Sequence, residues 1–194
     1  MSSSTSQSCI VCCKACTLHC QTCKSAYYCS KDCQKNDWAT HKLFCTAYSA
    51  FRLSNRPSDQ HFRACLFPVD RDRPEMIWVP WELHRDEDGQ YRLPEFDSNL
   101  GLDKALVIGR NAMLNRNLSN TLNVYHRDTF LIDGSASNKS ISAIIATRPG
   151  EQHDWRGPMV AVSKRGPAID PPEGRDIDIE DLRHISDYFL SYGT

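Results

Sequence analysis

Beyond residue 60 the apolar positions come in short runs set off by turn-forming residues, the pattern of a strand-rich unit. Phe62 to Val69 and Met76 to Leu83 are rich in apolar and aromatic side chains, and Asp70-Arg71-Asp72-Arg73-Pro74 between them predicts a hairpin loop. Leu106-Val107-Ile108, Ile141 to Ala146 and Met159 to Val162 predict three further strands, each bounded by Gly, Pro or Asn. Leu118, Leu122 and Tyr125 are spaced for one face of a helix. A last helix is predicted near the end of the sequence: Asp178 can cap it, Asp181 follows in its first turn, and Ile179, Leu182, Ile185 and Phe189 form its apolar stripe. The expected organisation is a disordered polar leader over 1–8, a compact module over 9–45, a turn-prone linker over 46–60 and an α+β domain over 61–194.

Composition sharpens this picture at one place. Of ten cysteines in 194 residues, nine lie between Cys9 and Cys45, and the tenth is Cys65. Residues 1–8 lack the apolar centre of a signal peptide, so a nuclear or cytoplasmic, non-secreted protein is expected and the thiols should stay reduced. Clustered reduced thiols point to metal. Charge is balanced, with 23 Lys+Arg against 24 Asp+Glu, which argues against a nucleic-acid binder driven by bulk charge. No run approaches the roughly 18–20 apolar residues that span a bilayer, so no membrane partner is expected.

Within 9–45 the ligand types recur in pairs: Cys9 and Cys12, Cys20 and Cys23, Cys29 and Cys33, His41 and Cys45. Two cysteines separated by two residues sit on a tight turn, and ligands four apart share a helix face, so each pair can reach one ion. Eight such ligands suffice for two closed tetrahedral zinc sites with no open position, which predicts a structural role. Spacing leaves the pairing open. Sequential sites would be Cys9/Cys12/Cys20/Cys23 and Cys29/Cys33/His41/Cys45; interleaved sites would be Cys9/Cys12/Cys29/Cys33 and Cys20/Cys23/His41/Cys45. So small a segment cannot fold by burial alone. Metal removal is therefore expected to unfold residues 9–45 while the C-terminal unit persists.

The residues around these ligands carry a resemblance. Tyr28-Cys29-Ser30-Lys31-Asp32-Cys33-Gln34, then Asp37-Trp38, His41-Lys42 and Cys45, resemble the MYND zinc finger family over 9–45. The resemblance implies two zinc ions in the interleaved arrangement and a short C-terminal helix. It also favours the register starting at Cys9 over one starting at Cys13 and Cys16, which leaves those two thiols as bystanders. MYND fingers are mostly protein-interaction modules, and several dock short proline-containing peptides. The family's groove residues match Gln34 and Trp38, four apart and so presentable on one helix turn. Where some members place a small polar groove residue, this chain has Gln21. Trp38 reads equally well as cover for the zinc sites.

Other classes fare less well. Lys14, Lys24, Lys31, Lys35 and Lys42 outnumber Asp32 and Asp37 by three, but a four-thiolate zinc carries −2 and a three-thiolate, one-imidazole zinc −1, so the loaded finger is neutral. His126-Arg127-Asp128 partly resembles a kinase catalytic loop without the rest of that signature, and reads as a polar turn. His84, Asp86, Asp88, Gly89 and Glu95 partly match a calcium loop, but a His leads it and Pro94 interrupts it, so Asp86 to Gly89 predicts a hairpin turn. Some lysine methyltransferases carry a MYND finger inside a SET domain, yet the Asn-His segment and glycine pattern of that fold are missing here. Leu66-Phe67-Pro68-Val69-Asp70, Trp78-Val79-Pro80 and Phe130 to Ser135 resemble the accessory region of MYND proteins from filamentous fungi, and bring no activity with them. The expectation is a non-enzymatic zinc-binding adaptor for a protein partner. An active site within 61–194 and a nucleic-acid-binding regulator are the alternatives.

Overall fold

The computed structural model describes residues 7–87, 89–148, 153–166 and 173–192, so most of the expected leader lies outside the described residues. Two short strands, β1 (Leu18–His19) and β2 (Tyr27–Tyr28), pair antiparallel and lead into α1 (Lys31–Ala50). Ser30 caps this helix by accepting the Cys33 amide. The helix expected to be short runs 20 residues, five beyond Cys45, into the segment read as linker. Apolar residues after Cys45 keep it going: Tyr48 packs against the core and its hydroxyl accepts from Arg63 at 2.8 Å.

Next come β3 (His61–Phe67), β4 (Glu75–Asp86), β5 (Gly89–Pro94), β6 (Lys104–Asn111), β7 (Arg116–His126), α2 (Lys139–Ile145), β8 (Met159–Lys164), β9 (Gly174–Arg175) and α3 (Ile179–Ser191). The strands form one antiparallel sheet in the order β5-β4-β3-β8-β7-β6, with β9 paired to the end of β8. All three helices lie on one face, where Cys65, Phe67, Leu122, Val124, Met159 and Ala161 meet Ile144, Leu182, Ile185 and Phe189. The opposite face carries Phe62, Ala64, Val79, Trp81, Val160 and Val162, covered by the 95–103 loop through Phe96, Leu100 and Leu102.

Two expected elements are corrected. Residues 141–146, predicted as a strand, are helical as α2. Buried Ile141, Ile144 and Ile145 follow helical spacing, and Asn138 starts the helix. Its Oδ1 accepts from the Ile141 amide at 3.0 Å and its Nδ2 donates to the carbonyls of Phe67 and Gly157 at 2.9 and 2.7 Å. Leu118, Leu122 and Tyr125, predicted on a helix face, lie on β7. The second half of that strand is buried on both faces of the sheet: Leu122 and Val124 point to the helices, Tyr125 to the other side. Burial on both faces obscures the two-residue period in the sequence.

Gly174 closes the second face. A Cβ there would stand 2.8 Å from both Phe62 and Trp81, whose rings meet edge-on at 5.9 Å. Gly174→Ala is expected to lower stability by about 1–3 kcal/mol, read as a shifted urea midpoint, because neither ring can yield without disturbing the other.

Candidate metal centre

The finger is built from two matching turns and one helix. In each Cys-x2-Cys turn the following residue is left-handed, Cys13 at φ 61° and Lys24 at φ 56°. Its amide returns to the first cysteine's carbonyl, Cys13 to Cys9 at 2.8 Å and Lys24 to Cys20 at 2.9 Å. Both thiols of each turn therefore face one point. Along α1, Cys33, Asp37, His41 and Cys45 follow one another at four-residue steps on its inner side, whereas Cys29, expected on the same helix face as Cys33, lies ahead of the Ser30 cap, in the bend that leads into the helix.

The eight candidate ligand atoms gather into two groups, each with all members within 4.8 Å: Cys9, Cys12, Cys29, Cys33, and Cys20, Cys23, His41, Cys45. Sulfur separations are 3.3 Å for Cys12–Cys29, 3.5 Å for Cys29–Cys33 and 3.7 Å for Cys20–Cys45, and Cys23 Sγ lies 3.7 Å from His41 Nε2. A tetrahedral zinc with bonds of about 2.3 Å needs sulfur edges of about 3.8 Å. The donor set and its spacing are thus compatible with two zinc ions, and all ten cysteines are free of disulfides. The second group is fully buried, whereas in the first only Cys9 is.

Packed together, these thiols oppose one another's ionisation. Cys29 is pushed up to about 12, first by the Cys12 thiol and then by Cys33. Cys45 is likewise pushed up to about 12 by burial and by Cys20. Cys9 goes the other way, to about 7: burial would raise it, but the amides of Cys29, Cys12 and Val11 outweigh that. A dication at each centre would reverse the balance and hold the thiols ionised. Burial lowers the His41 pKa against the pull of Asp37, which favours the neutral imidazole that ligates metal.

Behind the second group lies a buried polar chain that spacing does not reveal. Asp37, 1% exposed, accepts from Tyr28 Oη at 2.6 Å and from Arg183 Nη1 at 2.5 Å, and lies 3.8 Å from His41 Nδ1. Arg183 also donates to Asp187 at 2.9 Å, and Asp187 accepts from Asn111. Arg116 on β7 completes the contact from the other side, donating to the Ile10 carbonyl at 3.2 Å and to Cys13 Sγ. Cys13, which joins neither ligand group, is engaged by the sheet. The one available signal was the Asp in Asp37-Trp38, whose partner sits 146 positions away.

Of the residues predicted to meet a partner, Trp38 is 49% exposed. It shares an open, mostly apolar groove of about 300 Å³ with Gln34, Lys31 and Lys35. Gln21 is exposed but is not among the groove's lining residues. In the sheet unit a polar cleft of about 250 Å³ is lined in part by Arg116, Asp178, Glu180, Asp181 and His184. Its charges are engaged within the fold: Asp178 caps α3, Arg175 holds Asp178 and Asp181 at 2.5 and 2.7 Å, and Arg116 meets Glu180 at 3.1 Å. The Asp86 side chain and Asp88 lie outside the described residues; β4 and β5 pair up to Asp86 and Gly89. No helix among the described residues is long and apolar enough to cross a membrane.

Two tetrads of Cys and His on paired turns and one helix define a two-zinc finger. Residues 9–45 match the family model of the MYND finger, so the chain carries that module. N-lysine methyltransferase SMYD2 of Gallus gallus is 50% identical over 40 residues, 21% of this chain and 9% of that protein. SET domain and MYND-type zinc finger protein 6 of Schizosaccharomyces pombe is 39% identical over 72 residues, 37% of this chain and 15% of that protein. Ubiquitin carboxyl-terminal hydrolase 19 of Arabidopsis thaliana is 46% identical over 61 residues, 30% of this chain and 9% of that protein. The chain thus spans a small part of these relatives' length. No solved structure matches.

Proposed function

We propose that this protein is an adaptor whose finger, held by one zinc in Cys9/Cys12/Cys29/Cys33 and one in Cys20/Cys23/His41/Cys45, docks an extended proline-containing segment of a partner protein on α1. The observation that carries this reading is the half-exposed Trp38 beside Gln34 in an apolar groove. An indole leaves a flat apolar face and one N–H donor for such a segment, and proline arrives already extended. The rest of the finger supports a purely structural role for the metal, because closed tetrads leave no position for a substrate.

Trp38→Ala is expected to weaken binding about 30-fold or more, the scale of an aromatic anchor worth roughly 2 kcal/mol, while keeping two zinc ions per chain. Gln34→Ala is expected to weaken it less. A proline-peptide array probed with the three zinc-loaded proteins, followed by titration of the retained peptides, measures both. Equal retention by all three would remove the groove from the function and leave the metal centres untouched.

A further inference from the structure

The groove also has a charge pattern that bears on its occupant. Lys31, Lys35, Trp38 and Lys42 stand at i, i+4, i+7 and i+11, which places them in one row along α1. All four side chains are exposed. None of the three lysines takes part in an ion pair among the described residues, although thirteen such pairs occur elsewhere, so their charges face outward uncompensated. The helix's other acids do not cancel the row. Asp32 lies about a quarter-turn around the helix from it, and Asp37 is buried against Arg183.

We infer that the segment docked at Trp38 is acidic, carrying carboxylates on both sides of its proline contact to meet Lys31 and Lys35 at one end and Lys42 at the other. This rests on the groove reading above and adds the partner's chemistry to it. The geometry sets a length. Eleven residues of helix rise about 16 Å. An extended proline-type chain covers that distance in about five residues at roughly 3.1 Å each. A nucleic acid is the weaker fit: a phosphate backbone would meet the lysines but leave the apolar groove at Trp38 unused.

The test uses the zinc-loaded full chain and three labelled peptides of equal length: Glu-Ser-Pro-Pro-Ser-Glu, its Gln-Ser-Pro-Pro-Ser-Gln counterpart, and the acidic Glu-Ser-Ala-Ala-Ser-Glu. Fluorescence polarisation at low salt is expected to rank the first about fivefold tighter than the second, on the scale of two or more exposed charge pairs. The advantage is expected to vanish in about 0.5 M salt, where the screening length falls to a few ångströms. Lys42→Gln, outside the groove's lining, should bring the acidic proline peptide toward the neutral one's affinity without changing the latter, and Lys35→Gln should weaken the acidic peptide more than the neutral one. Trp38→Ala should weaken both proline peptides.

Equal binding of the acidic and neutral proline peptides would overturn the inference while the groove stands. No binding by either, or none of it sensitive to Trp38→Ala, would overturn both. Tighter binding of a DNA or RNA oligonucleotide, lost in the lysine variants, would assign the row to nucleic acid. A dimer in sedimentation that Trp38→Ala dissolves would seat a second copy there, and would likewise overturn it.

Discussion

Stripping both zinc ions is expected to unfold the sheet together with the finger, as one transition. The sequence alone suggested otherwise, a finger that melts while the rest persists. The structure joins them: Phe44 of α1 meets Phe67 of β3 edge-on at 6.4 Å, and Phe67 meets Phe189 of α3 at 5.3 Å. Ile10, Tyr28 and Phe44 sit in the same apolar cluster as Leu182 and Ile185. Without metal, the finger has too little apolar surface to hold its shape, and the sheet loses the cover over one end of its helical face. A structural zinc contributes roughly 10–16 kcal/mol of apparent binding free energy in finger peptides, and a whole domain is stable by only about 5–15 kcal/mol. Hydrogen exchange after chelation should therefore show protection falling in α3 and β3 as well as in 9–45. Unchanged protection of Leu182 and Ile185 would show two independent units instead.

The second large effect is expected at the buried pair between Asp37 and Arg183. Both are almost wholly buried, and Arg183 lies between two carboxylates, Asp37 at 2.5 Å and Asp187 at 2.9 Å. Arg183→Met leaves two aspartates without their cation, and a loss of about 3–5 kcal/mol is expected from the zinc-loaded protein in urea. Asp37→Ala strands the Tyr28 hydroxyl as well, and a similar loss is expected. The pair Asp37→Asn with Arg183→Met should cost clearly less than the two single changes added together, because each removes the other's stranded charge. Additive losses would mean that the ion pair is not what couples finger to sheet.

These two expectations differ in how far the sequence could reach. The ligands are local: a Cys-x2-Cys turn, or the helical step from His41 to Cys45, places two donors together whatever the rest of the chain does, and Cys29 stands just ahead of the cap that starts the helix of Cys33. The cap of α3 is local too, and Asp178 with Asp181 forms the reciprocal capping pair its spacing predicts. Half-exposure of Trp38 was not legible, because one side chain on a helix suits a core or a surface equally well. Residues 141–146 misled because a short apolar run fits either element, although the start signal, Asn138 capping the Ile141 amide, was local. Asp37 and Arg183 were beyond any window because they stand 146 positions apart.

Helix α1 lends Cys33 to one tetrad and His41 and Cys45 to the other. Ordering a first helical turn is the costly step, and further turns follow cheaply. Whichever ion arrives first therefore meets that cost on behalf of its neighbour. Chains made where zinc is scarce are expected to divide into full and empty molecules, with half-filled ones rare, so the protein responds to metal supply as a threshold rather than in proportion.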